Sequence, residues 1–219
     1  MPGKNLRLVG GVPLVGRAVA SARRAGLIDD VYVSTDDAAI ADTARAFGAM
    51  VVDRPGVLAG DTASSESALL HVLDCLENEQ IRADVVVFIQ ATSPFIDPAD
   101  LDAAVARVRD GEWDSAFSAR RTHAFLWHRT STGAEGINHD ETYRLRRQDL
   151  EPQFEETGAF YVMRADGLRE TGYRFFGRIG IAVVPELTAV DIDSVDDLEL
   201  ANLVATLHPV KEESWSPSA

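Results

Sequence analysis

The sequence predicts an α/β fold, a doubly wound and mostly parallel sheet with helices on both faces. Three observations carry this. Strand and helix periodicities alternate along most of the 219 residues. "VVVFI" (85–89) is an unbroken apolar run, as expected of a central strand covered on both faces. Three polar clusters, Ser34-Thr35-Asp36, Gln90–Pro94 and Asp191-Ile192-Asp193, fall where strands should end, and such sheets bind ligands there.

The elements follow in order. Residues 12–26 set Val15, Ala18, Val19 and Ala22 on one helical face, and Gly26 suits the C′ position. Residues 30–37 form a short strand running into a polar turn. A helix over 37–47 closes at Gly48, and 49–53 is a second strand. Breaker-rich "RPGVLAGDTASSES" (54–67) then leads into a helix over about 66–77. After the central strand, Asp97 caps a helix with Pro98 at its first position and Asp100 in its first turn. Leu101, Ala104, Val105 and Val108 form the buried stripe of that helix. Residues 115–120 are another strand. From about 121 to 156 periodicity fails, and so long an irregular stretch in a compact domain is usually functional or interfacial. Strands are expected at 158–164, 178–184 and 189–193. A last helix, 194–207, is apolar at Leu200, Leu203, Val204 and Leu207. A polar tail, 208–219, reads as flexible.

Composition narrows the function. Thirty-five acids against twenty-one bases give a net charge of −14, which argues against nucleic-acid binding, since that needs clustered Lys and Arg. An acidic protein still binds a nucleotide if a few bases and a metal are focused in one cleft. The single cysteine, Cys75, excludes a disulfide framework and points to the reducing cytoplasm. No apolar run is long enough to span a bilayer, so no membrane partner is expected. The five histidines show no metal-ligand spacing. No P-loop, G-x-S-x-G or G-x-G-x-x-G signature occurs.

Four constellations could carry chemistry. In Asp191-Ile192-Asp193, alternate residues of a strand share a face, so both carboxylates can enter one cleft. Like charges so placed favour a hard divalent cation such as Mg²⁺ between them, although Asp193 also suits a plain helix cap. "QATSP" (90–94) offers an amide and two hydroxyls for sugars and nucleotides, or only a strand-to-turn transition. The loop from Arg54 to Ser65 could hold a nucleobase or simply start a helix. Lys4-Asn5, in a Gly/Pro-rich stretch, offers a cation and an amide suited to phosphate, or a solvated basic end.

Taken in order, the motifs resemble those of the acylneuraminate cytidylyltransferases (CMP-sialic acid synthetases). They are P-x-KNL (2–6), VSTD (33–36), RP (54–55), DTASS (61–65), Q-x-TSP (90–94), GA-x-Y (158–161) and DID (191–193). The resemblance covers nearly the whole chain. It implies a Rossmann-like three-layer fold and the reaction CTP + sialic acid → CMP-sialic acid + pyrophosphate. Asp191 and Asp193 would hold Mg²⁺, and one of them would help deprotonate the sugar. Lys4 would face the triphosphate, with Asn5, Asp36, Arg54, Ala63 and Ser65 around the nucleotide. Gln90, Arg147, Tyr161, Phe175 and Phe176 would form the sugar site, with Arg147 gripping the carboxylate bidentately. Residues 1–207 would be one catalytic domain, with 121–156 as a subdomain joining two copies in a homodimer.

Thr157 replaces the family's usual Asn and Ala91 its usual Pro, which leaves the particular nonulosonic acid open. Kdo or a phosphonate is the alternative acceptor. In the family a first strand and a phosphate loop precede P-x-KN. By that comparison Met1 falls inside the loop, and about twenty residues of strand and loop are expected before it. An inactive, binding or dimer-forming paralogue is the alternative from another class.

Overall fold

The computed structural model describes residues 1, 3–60, 63–143 and 145–207, without the side chain of Arg147. Pro2, the first two residues of DTASS and the predicted tail at 208–219 lie outside the described residues.

Two short strands, β1 (Leu8–Val9) and β2 (Val12–Pro13), form an antiparallel hairpin. Its turn, Gly10-Gly11, has φ of 60° and 85°. A two-residue hairpin turn of this kind needs left-handed backbone at both positions, which glycine adopts without strain. There follow α1 (Leu14–Arg24), β3 (Tyr32–Thr35), α2 (Ala38–Ala46), β4 (Met50–Asp53), α3 (Ser65–Asn78) and β5 (Val85–Ile89). Then come α4 (Pro98–Arg109), β6 (Ser115–Thr122), β7 (Trp127–Arg129), β8 (Ala134–Gly136), β9 (Gln153–Arg164), α5 (Ala165–Thr171), β10 (Ile179–Val183) and α6 (Val195–Leu207). Three helix starts are set by side chains. Asp37 accepts from the Ala39 and Ile40 amides, Ser64 from Ser67, and Asp97 from Ala99 just after Pro98 enters the helix.

The main sheet has the order β10-β6-β9-β5, while β3 and β4 pair separately and in parallel. β10 and β6 are parallel, but β9 runs antiparallel to both its neighbours. No α-helix joins β6 to β9 among the described residues. A parallel neighbour needs a crossover connection, so the chain returns antiparallel instead. Alternate residues of β9 serve the two faces. Phe160 and Val162 pack with Leu101, Ala104, Val105 and Val108 of α4, the stripe expected from sequence. Tyr161 and Met163 pack with Leu73 of α3 and Leu168 of α5.

Three expectations need correction. The stretch 121–156 is less irregular than its composition suggests, since β7 and β8 pair as a hairpin and β9 begins at Gln153. Residues 189–193 are not a strand; they follow a one-turn helix at Glu186–Thr188 and lead directly to α6. Helix α6 is turned from its expected orientation. It buries Ala201, Val204 and Ala205, whereas Leu200, Leu203 and Leu207 are exposed by 52%, 64% and 72%. The small residues let α6 approach the β1–β2 hairpin closely, where Asn202 bonds the Leu8 carbonyl and the Gly10 amide.

Candidate active site

Several segments converge on one cavity of about 930 Å³. Lys4 and Asn5 arrive on a single helical turn entered through Gly3, whose φ is 63°. β3 ends there in Ser34, Thr35 and Asp36, and β5 in Gln90, Ala91 and Thr92. Arg54 follows β4, and Ala63 and Ser65 stand at the N-terminus of α3. Asp191 and Asp193 complete the rim.

Local bonds fix these groups. The Lys4 ammonium lies 2.9 Å from Asp193 Oδ1, joining positions 189 residues apart. Arg54 donates from Nε to Ser34 Oγ at 3.1 Å and from a terminal nitrogen to the Ser34 carbonyl, so β3 sets the plane of its guanidinium. The Ile192 amide donates to the Thr92 carbonyl at 3.0 Å, tying the two polar clusters together. Ile192 itself is fully buried beside Val9, Leu14 and Phe95. With Ile192 as anchor, the residues on either side share the opposite direction even without strand pairing. Asp191 Oδ1 is buried with no hydrogen-bond partner. Among the described residues no group of three or more His, Cys, Asp and Glu converges as a metal cage.

The aromatic residues assigned to the sugar lie elsewhere. Tyr161 stacks on Phe88 with ring centroids 5.7 Å apart, and Phe175 meets Tyr161 edge-on at 5.9 Å. Phe176 sits against the backbone of α5, where a Cβ on Gly167 would collide with its ring. None of the three lines the cavity, although Phe88, Leu69 and Leu73 belong to both the cavity wall and this cluster. Arg147 lies on a one-turn helix, Arg147–Asp149, and its side chain is outside the described residues. Thr157 also faces the sheet: its hydroxyl bonds the Ser118 hydroxyl and carbonyl, sealing the bulge between β6 and β9.

Sequence reasoning missed Arg174 and Glu66. Arg174 Nε donates to Glu66 Oε1 at 2.6 Å, and the guanidinium lies 4.5 Å over the Tyr161 ring and 5.2 Å over Phe88. The Tyr161 hydroxyl donates a short bond to Glu156. Burial, then the bond and charge of Glu156, push this phenol up to about 12, against a lesser downward pull from Arg174. Tyr161 is therefore a neutral donor at any physiological pH.

Comparisons with known proteins give the family. Residues 1–199 match a family described as cytidylyltransferase. The N-acylneuraminate cytidylyltransferase A of Danio rerio is 34% identical over 197 residues, covering 88% of this chain and 45% of that protein. The pseudaminic acid cytidylyltransferase of Campylobacter jejuni is 26% identical over 218 residues, covering 98% of this chain and 93% of the relative. The chain thus spans less than half the length of the fish protein. Among solved structures, a CMP:2-keto-3-deoxy-manno-octonic acid synthetase complexed with CTP superposes with a TM-score of 0.68. It is 17% identical and covers 94% of this chain and 93% of its own. A 4-diphosphocytidyl-2C-methyl-D-erythritol synthase from Anaerococcus prevotii also gives 0.68, at 11% identity over 93% and 92%. Those two likenesses show that the chain shares their fold, and the match over residues 1–199 establishes that it belongs to the cytidylyltransferase family.

Proposed function

We propose that this chain transfers CMP from CTP to the anomeric hydroxyl of a sialic acid or a related nonulosonic acid, releasing pyrophosphate. One observation carries the reading. Lys4, Asn5, Asp36, Arg54, Ala63, Ser65, Gln90, Asp191 and Asp193, scattered through the sequence, line one cavity that also runs along β3 and β5. The relatives named for N-acylneuraminate and pseudaminic acid supply the acceptor class.

In the reaction the anomeric oxygen attacks the α-phosphorus, the bond from that phosphorus to the β-phosphate oxygen breaks, and pyrophosphate leaves with the bond pair. Catalysis is mainly positioning and charge neutralisation. Lys4 faces the triphosphate, and its bond to Asp193 holds the ammonium at the mouth of the cavity. Arg54, fixed by Ser34, and the amides at the start of α3 shape the nucleotide side. Gln90 orients the acceptor. The unpartnered oxygen of Asp191 is the candidate to take the anomeric proton. Two carboxylates with one unsatisfied oxygen also fit Mg²⁺, which takes few protein ligands and shares its shell with substrate phosphates. When bound, the ion would neutralise charge developing at the α-phosphate. The aromatic cluster of Tyr161, Phe175 and Phe176 would serve the acceptor only after rearrangement toward the cavity.

We also infer a homodimer built through 121–156. Leu126, Trp127, Ile137 and Tyr143 in and beside the β7–β8 hairpin are 50–69% exposed. A second copy is the simplest cover for such residues. Sedimentation at several concentrations tests this: a monomer throughout overturns it.

The functional test is pyrophosphate release from CTP and Mg²⁺ with N-acetylneuraminate, legionaminate, pseudaminate and Kdo, using this chain and a form extended ahead of Met1. Turnover with a nine-carbon acid is expected. Release with Kdo alone would change the acceptor class, and no release by either form with any acid would overturn the reading.

A further inference from the structure

The segment from Arg54 to Ser65 joins β4 to α3 and brings Arg54, Ala63, Ser64 and Ser65 to the cavity. Ser34 holds Arg54, but past that residue the segment is held mostly by local turns. The amides of Leu58, Ala59 and Ala63 donate to the carbonyls of Pro55, Gly56 and Gly60, and Ser67 donates to Ser64 from both its amide and its hydroxyl. Among the described residues of 55–67, one hydrogen bond reaches a distant element. It is the bond that Glu66 Oε1, in the first turn of α3, accepts from Arg174 Nε at 2.6 Å. The far half of α3 is held separately, by Leu73 in the core and by Arg169, which bonds Asp74 and Glu77. Arg174 is clamped in turn. Its guanidinium lies 4.5 Å over Tyr161 and 5.2 Å over Phe88, and the adjacent Phe175 meets Tyr161 and Phe117 edge-on. Both charged side chains are nearly buried, and neither lines the cavity.

Stability alone does not call for this pair. Well-packed apolar side chains of similar volume hold two buried elements together as well as an ion pair does. The difference lies in direction. A charge-assisted bond fixes a distance and an angle, and stacking on two rings fixes the plane of the guanidinium, whereas apolar contacts let a helix end slide or turn. We propose that Arg174 is a positioning residue for the nucleotide: through Glu66 it sets the first turn of α3, and so places Ala63, Ser64 and Ser65 at the cavity. The proposal rests on the reading of that cavity as a CTP site. Arg174 and Glu66 act only through their neighbours, the amides and hydroxyls at the helix start, which suit an anionic or polar ligand. A misplacement of about 1 Å is enough to lose much of what such groups contribute. The same bond ties the nucleotide side of the cavity to the aromatic face of β9, which carries Tyr161.

The test compares the unsubstituted chain with Arg174→Lys and with the apolar pair Glu66→Leu/Arg174→Met. The readouts are the thermal midpoint, amide hydrogen exchange at residues 67–70 against 73–77 of the same helix, CTP affinity by calorimetry, and kcat and KM for CTP. The apolar pair should keep the midpoint within a few degrees. It should nonetheless speed exchange at 67–70 by about tenfold and leave 73–77 unchanged. CTP binding should weaken by about tenfold, with KM for CTP raised and kcat little altered. Arg174→Lys keeps a charge-assisted bond to Glu66 and should bind CTP within about threefold of the unsubstituted chain. Unchanged exchange and CTP affinity in the apolar pair would overturn the proposal. A fall in the midpoint with faster exchange along the whole helix would also overturn it, by making the pair a structural prop. Failure of the unsubstituted chain to bind CTP would instead overturn the reading of the cavity, and the exchange comparison would still decide whether Arg174 holds the start of α3.

Discussion

Glu66 and Arg174 lie 108 residues apart, with side chains only 7% and 14% exposed. Burial pushes the Glu66 carboxyl up, but the bond and charge of Arg174, with backbone bonds, outweigh it and hold the group below its ordinary value. A carboxylate depressed in the folded state stabilises it above the unfolded pKa, about 4.3, and that contribution is lost as pH falls through the folded value. Arg174→Met should therefore cost about 3–5 kcal/mol at pH 7 by leaving a buried charge unpaired. The cost should shrink as pH falls into the acid range, because without Arg174 burial alone acts on the Glu66 carboxyl and favours its protonated form. Denaturant titrations at neutral and at acid pH check this, and adding Glu66→Gln should restore much of the loss. Tyr161 works in the opposite sense. Its pKa is raised to about 12, so the folded state holds a proton that the unfolded state gives up near 10, and stability falls as pH rises through that range. An ultraviolet titration should show Tyr161→Phe removing the last phenol to ionise. Within the active site, Asp191→Ala should abolish turnover and leave the fold intact, because its buried oxygen bonds to nothing in the protein. Unchanged pyrophosphate release would remove Asp191 from the machinery. The motif residues at strand ends were legible in sequence because each sits where a run of apolar residues stops. Arg174 and Glu66 left no such mark: a buried ion pair between distant elements has neither period nor spacing.

Among the elements, helices with side-chain caps were the easiest to place. Asp97 with Pro98 opens α4, and the stripe behind it is buried as its spacing requires. Asp37→Ala should destabilise the protein by about 1 kcal/mol by freeing the two amides it accepts from, measurable in urea unfolding. Helix α6 was misjudged because leucines weigh heavily in any apolar count. Here Ala201 and Ala205 make the contact, since small side chains admit the hairpin, and Leu200 and Leu203 are left outside. The Asp191–Asp193 segment reads as a strand because it alternates polar and apolar residues. It is held by one backbone bond to Thr92 and by the fully buried Ile192 rather than by a neighbour. β9 holds one more sensitive point. Gly158 has a φ of 72°, and a Cβ there would lie 3.2 Å from Gln90 Oε1. Gly158→Ala should strain the backbone and displace Gln90, weakening acceptor binding more than CTP binding; steady-state KM values for the two substrates separate these.

At the scale of the whole molecule, a net charge of −14 means that the folded chain repels itself. Added NaCl screens that repulsion, so the thermal midpoint should rise between 0.01 and 0.5 M salt, where the Debye length falls from about 30 Å to a few Å. A falling midpoint would mean that ion pairs such as Lys4–Asp193 outweigh the repulsion. That pair has a consequence in time as well as in space. The contact spans 189 residues, and Asn202 reaches back 194 residues to Leu8. On a ribosome, Lys4 emerges long before the residues that fix it, and synthesis at 5–20 residues per second leaves it waiting for about ten seconds or more. The β5–β9 and β6–β9 ladders can form during that wait, but the ring of charged groups around the cavity closes only with α6. A nascent chain should therefore fold most of its sheet while the cavity rim is still incomplete, and complete that rim almost at once when its last helix docks.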